Sequence, residues 1–152
     1  MHNPTQAHEI VDLDFLINKL RYAGRSEISP ERFARAFDYD LIVLERLAHV
    51  DQLRIKNWRL SPKLQSFMEN AMKVMGSAAL LLTDMEEAQT WFKNYRFAEL
   101  DGKTPEELVS DGQHALLFKK LSVSAGSHRQ RLAGQTKPLA TTSSQRSRGV
   151  PA

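Results

Sequence analysis

Three hydroxyl-proline steps, Ser29-Pro30, Ser61-Pro62 and Thr104-Pro105, limit what this chain can fold into more than any other feature. A serine or threonine at an N-cap accepts a hydrogen bond from an otherwise unpaired backbone N–H, and proline is preorganised for the first helical position. Each step therefore starts a helix. No internal repeat accompanies them, so their recurrence reflects capping chemistry.

Between these starts, apolar residues recur at helical spacing. Ile10, Leu13, Leu16, Ile17 and Leu20 predict an amphipathic helix over 9–22, stopped by Gly24. A short helix is expected from Pro30 to about Phe37, then a turn at Asp38-Tyr39-Asp40, then a helix to about Val50 that presents Leu41, Leu44, Leu47 and Ala48. Leu64, Phe67, Met68, Ala71 and Met75 mark a helix from Pro62, which the pattern extends through Gly76 as far as Leu82. Thr83 and Glu86 predict a capping box ahead of Ala88, Trp91, Phe92 and Tyr95. Asp101-Gly102 reads as a turn; Thr104, Pro105 and Glu107 form a second capping box, and Asp111-Gly112 stops that helix after roughly two turns. Leu121-Ser122-Val123-Ser124 alternates, but four residues are too few for a strand. The expected fold class is all-α.

Composition excludes several kinds of chemistry. With no cysteine among 152 residues, neither a disulfide framework nor a thiolate site is available, and the histidines at 2, 8, 49, 114 and 128 lack paired ligand spacing. Ala78-Ala79-Leu80-Leu81-Leu82, the longest apolar run, falls far short of the roughly 20 residues that span a bilayer. Met1-His2-Asn3-Pro4-Thr5 has neither part of a signal peptide, so a cytoplasmic location is the expectation. No nucleophile-base arrangement and no glycine-rich phosphate loop occurs. A non-enzyme without cofactor or metal is expected.

Charge is distributed unevenly. After residue 118 there are seven basic residues and no acidic ones, so a net charge of +3 splits into +7 there and −4 over residues 1–118. From Gly126 onward no periodic apolar face exists, and a disordered basic tail is expected.

Residues 31–47 have helix-turn-helix spacing. Ala34 lies where two helices must approach, Phe33, Phe37, Tyr39, Leu44 and Leu47 fall at packing positions, and Asp38 stands where glycine is usual. The outward positions of the second helix, Asp40, Leu41, Ile42, Glu45 and Arg46, set one base-reading arginine against two carboxylates. Arg32 and Arg35 are placed for phosphates, which position a protein but carry no sequence code. Arg131 and the remaining tail cations either add such contacts or are a solvated terminus.

A longer pattern runs through the second half. Ala88, Trp91 and Phe92, then Leu100, Gly102, Lys103, Thr104, Pro105, Leu108, Val109, Asp111 and Gly112, then Phe118, Leu121 and Gly126 follow one another in order. This resembles the C-terminal toxin-binding domain of the MbcA/ParS/Xre antitoxin family, in which Leu-x-Gly-Lys/Arg-Thr-Pro precedes a short Glu-Leu-Val helix. The loop 94–99 lacks a proline that many relatives carry, and the tail is longer than the family requires.

Together with the helix-turn-helix spacing and the tail composition, the resemblance gives the expected organisation: an N-terminal helix-turn-helix-like region (1–58), a connecting helix with a toxin-binding domain (59–126) and a disordered basic tail (127–152). It also implies an antitoxin that occludes the active site of a cognate RES-domain toxin, an enzyme that consumes NAD or transfers ADP-ribose, and that autoregulates its operon. A homodimer in a toxin-antitoxin complex is the expected assembly. The implied toxin contacts are Trp91, Phe92, Tyr95, Lys103, Thr104, Pro105 and Leu108, with Lys119, Lys120 and Arg129 toward anionic groups of an NAD site. Two alternatives stay open: a stand-alone helix-turn-helix regulator using Arg32, Arg35, Arg46 and Arg131, and, for residues 100–112, a well-capped connector.

Overall fold

The computed structural model describes the backbone of residues 13–133 and the side chains as far as Ser124. Ile10, Lys137, Arg146 and Arg148 lie outside the described residues. The capping signals at Ser29 and Thr104 act as expected, whereas Ser61 stands before the helix that begins at Pro62 without a side-chain cap bond. Ser29 Oγ accepts from the Arg32 N–H at 3.2 Å and starts α2, Pro30–Phe37, which follows α1, Leu13–Leu20. Asp38 closes α2 with φ 57°, in the left-handed region that aspartate tolerates, and α3 runs Leu41–Ala48. A 3-10 turn at Trp58–Leu60 leads into α4, Pro62–Ala79; α5 is Met85–Asn94, and a second 3-10 turn, Ala98–Leu100, precedes α6, Pro105–Ser110. The last helix, α7, is His114–Ala133. Among the described residues no strand forms, and the fold is all-α; the only pairing is the isolated bridges Arg21–Ile28 and Phe97–Lys103.

Three expectations change in detail. The helix begun at Pro62 ends at Ala79 rather than Leu82. The capping register before α5 moves by one residue: Asp84 Oδ1, not Thr83, accepts from the Glu87 N–H at 2.9 Å, while Glu87 Oε1 accepts from the Thr83 N–H at 3.2 Å. Asp84 competes successfully because a carboxylate also favours the positive end of the helix dipole. Residues 126–133, expected to begin the disordered tail, are instead helical, within α7, and 121–124 are helical as well.

α4 is the central element, packed against α1, α3, α5, α6 and α7. Its apolar stripe is wider than the spacing of Leu64, Phe67, Met68, Ala71 and Met75 indicates, because Met72, Val74, Ala78 and Ala79 are buried as well. Burying one such large side chain contributes about 1.5–3 kcal/mol, and flexible methionines at 68, 72 and 75 fill the irregular space between helices that arrive from several sides. At Gly76 a Cβ would lie 2.9 Å from Leu13 Cδ1, so the missing side chain lets α1 approach.

One apolar core includes Phe33, Phe37 and Leu44 from α2 and α3 together with Phe92, Leu108 and Leu117 from α5, α6 and α7. The helix-turn-helix packing has the expected members: Ala34 is buried, the Phe33 and Phe37 rings lie 4.8 Å apart, and Tyr39 stacks on Phe33 at 5.9 Å. Polar bonds reinforce the junction. Lys93 Nζ donates to the carbonyls of Phe37 and Asp38 at 2.6 and 3.0 Å, and Ser110 Oγ donates to the Leu47 carbonyl at 2.6 Å. A cation at a helix C-terminus satisfies orphan carbonyls and complements the dipole.

Candidate interaction surface

The end of α5 builds an aromatic cluster. Residues at i and i+4 share a helix face, so Trp91 and Tyr95 lie side by side with centroids 6.5 Å apart. The backbone then turns, and Phe97 returns edge-on to both rings, 4.9 Å from Tyr95 and 6.5 Å from Trp91. Phe97 is held by its N–H donating to the Lys103 carbonyl at 3.0 Å, across a turn in which Asp101 and Gly102 both have positive φ. Phe92, next to Trp91 in the chain, is fully buried.

These rings form one wall of a groove of about 280 Å³. Ala78, Leu81 and Leu82 at the end of α4 form the second wall, and Leu117, Lys120, Leu121 and Ser124 of α7 the third. Most of the lining is apolar, and Tyr95 is 50% exposed. Lys120 supplies its charge at one edge, with Nζ 2.8 Å from Glu99 Oε2 and 5.4 Å from the Phe97 ring centroid. The hydrogen bond from Lys120 holds the Glu99 carboxyl below its ordinary value.

Beside this groove, α6 is locked by local chemistry. Thr104 Oγ1 accepts from the Glu107 N–H at 3.1 Å while Glu107 Oε1 accepts from the Thr104 N–H at 2.8 Å, a complete capping box. Gly112, at φ 80°, ends the helix as the Gln113 N–H reaches back to the Leu108 carbonyl at 2.7 Å. Lys103 Nζ bonds Asp111 Oδ2 at 2.7 Å, and that bond raises the Lys103 ammonium above its ordinary value.

The implied toxin contacts thus divide. Trp91, Tyr95 and Lys120 come together at the groove. Phe92 and Leu108 are fully buried and belong to the core rather than to a contact surface, because burying their whole apolar area is worth more than exposing it. Thr104 and Pro105 are also buried and shape the start of α6 from within. Lys103 is paired with Asp111, whereas Lys119 is exposed. Arg129 and Arg131 lie on α7 beyond the described side chains.

On the helix-turn-helix, Arg32, Arg35 and Arg46 are exposed, as is Ile42. Glu45 departs from its expected outward position. It is buried, and its Oε1 accepts from the Gln52 N–H at 3.4 Å, because the chain after α3 folds back over it. Sequence reasoning missed Leu81 and Leu82 as groove components and Glu99 as the partner of Lys120. The run Ala78–Leu82 was the only signal for the first two, and Glu99 lies 21 positions from its partner Lys120.

Among the described residues no helix is long and apolar enough to cross a membrane, and no group of three or more His, Asp or Glu side chains is gathered to hold a metal ion. No protein-family model, curated protein or solved structure matches the chain.

Proposed function

We propose that this protein is a cytoplasmic antitoxin that seats the aromatic groove on a cognate RES-domain toxin and occludes the active site where NAD is consumed or ADP-ribose transferred. The observation that carries the reading is the half-exposed Tyr95 with Trp91 and Phe97 along a groove of about 280 Å³ whose rim carries the Lys120–Glu99 ion pair. Large, rigid aromatic side chains in a partly desolvated recess are the usual anchors of protein interfaces. The ordered pattern from Ala88 to Gly126, which resembles the antitoxin domain, supports the choice of partner. Occlusion needs no chemistry from the antitoxin, and a homodimer would present two such grooves.

Co-expression with the product of the neighbouring gene is the test. The reading predicts a co-purifying complex and rescue of growth; a toxic neighbour that is neither bound nor neutralised would overturn it.

The packed helix-turn-helix favours a second reading, operator binding, through the exposed Arg32, Arg35 and Arg46. Its measure is the salt dependence of duplex binding, because each phosphate contact contributes a counterion-release term to the slope.

A further inference from the structure

A second concavity lies away from the aromatic groove. It measures about 290 Å³ and opens between the turn after α1 and the segment leading to α4. Tyr22 and Arg25 form one wall; Lys56, Asn57, Trp58 and Arg59 form most of the other. Three cations line it and no carboxylate does. Glu27 and Glu31, which pair with Arg25 and Arg59, lie outside the lining, so the recess itself presents only cationic groups and Lys56 adds a charge uncompensated among the described residues.

The cations are held without being consumed. Arg25 Nε donates to Glu27 Oε1 at 2.9 Å and Arg59 Nε to Glu31 Oε2 at 2.7 Å. Each guanidinium has five N–H donors, so these bonds orient the group and leave its Nη atoms without a protein acceptor among the described residues. The Arg59 guanidinium also lies 4.7 Å from the Trp58 ring centroid, which keeps it over the aromatic face. Lys56 is exposed and pairs with no carboxylate among the described residues.

One side chain ties the wall bearing Arg59 to Ile28, at the end of the turn that carries Tyr22 and Arg25. Gln65 of α4 exchanges hydrogen bonds with the backbone of Ile28, both at 2.8 Å, and its Nε2 also donates to the Arg59 carbonyl at 2.9 Å. The width of the recess is therefore set before any ligand arrives, and preorganised donors bind at lower entropic cost.

We propose that this recess binds the phosphate of a nucleotide, free or within nucleic acid, with Arg25, Lys56 and Arg59 around the phosphate and Tyr22 and Asn57 against the base and sugar. Guanidinium groups match phosphate oxygens two at a time, and the volume exceeds what a bare phosphate needs. The inference is independent of the antitoxin reading, since none of these residues lines the aromatic groove.

Calorimetric titration of the full-length protein with AMP, adenosine and a short DNA duplex at low salt tests it. AMP or the duplex is expected to bind saturably, adenosine much more weakly, and Arg25→Glu and Lys56→Glu are each expected to weaken binding by about tenfold or more. Both side chains are exposed and Arg25→Glu disrupts only a surface ion pair, so melting temperatures should change little and exclude misfolding as the cause. Binding of AMP alone identifies a free nucleotide as the source; competition between AMP and duplex for the same variant-sensitive site identifies nucleic acid. Absence of binding by either, adenosine binding as tightly as AMP, or charge-reversed variants binding like the parent would overturn the proposal.

Discussion

Tyr39 donates its hydroxyl hydrogen bond to Glu106, joining the turn between α2 and α3 to the first turn of α6 across 67 positions of sequence. Lys93 of α5 sits over the same tyrosine ring, 4.2 Å from its centroid, while its ammonium caps the carbonyls of Phe37 and Asp38. The helix-turn-helix and the helices around the aromatic groove therefore share polar contacts as well as a core.

Removing the hydroxyl isolates that link. Tyr39→Phe should destabilise the protein by about 1–2 kcal/mol, since a hydrogen bond to a charged acceptor is lost while the ring packing stays. Urea unfolding of Tyr39→Phe, Glu106→Gln and the double variant gives the coupling. Additive losses would show that the bond contributes nothing of its own.

The same contact sets an alkaline limit. Burial, and secondarily the adjacent Glu106 carboxylate, push the Tyr39 hydroxyl far above its ordinary value of 10.0. Below that value both folded and unfolded chains keep the proton, and the stabilisation is intact. Above it the unfolded chain releases the proton first, so stability falls as pH rises. Unfolding midpoints measured from pH 9 upward should fall more steeply for the parent than for Tyr39→Phe, and superimposable slopes would contradict this.

At the start of α6, Thr104→Ala removes one half of the capping box and should cost about 1 kcal/mol, with Pro105→Gly adding to the loss by freeing the unfolded backbone. Thermal melts check the first claim. If toxin affinity falls along with stability, residues 100–112 shape the binding surface; stability falling alone marks them as a connector.

Tyr95→Ala separates binding from folding most cleanly. The side chain is 50% exposed and its losses are the contacts with Trp91 and Phe97, so stability should fall by only about 1 kcal/mol. Toxin affinity should nevertheless drop by about tenfold or more if the ring is an interface anchor. Trp91→Ala is a poorer probe, because its ring also packs against the core.

Much of the fold was legible in the sequence because helix starts and stops are local. Ser29, Thr104 and Pro105, the left-handed Asp38 and the Asp111-Gly112 stop act through backbone geometry and bonds spanning a few residues, and each works as read. Asp84 in place of Thr83 shows the limit even there, since two adjacent N-cap residues compete and their difference in energy is small.

The candidate site was legible only in part. Trp91 and Tyr95 follow from helical spacing, yet the groove needs Leu81 and Leu82 from one helix end and Leu121 from another. Whether Lys103 and Lys120 act as free cations depended on Asp111 and Glu99, partners that no periodicity reveals.

The sequence by itself determined the helices, their order and the caps at Ser29 and Thr104, because backbone dihedrals and short-range hydrogen bonds depend on neighbouring residues. Only the tertiary structure decided that Glu45 faces inward, that Phe92 and Leu108 are core, that Tyr39 meets Glu106, and that Tyr22 and Trp58 face one cationic recess. Those outcomes depend on which helix faces fill the space around α4, a packing problem solved by the whole chain at once.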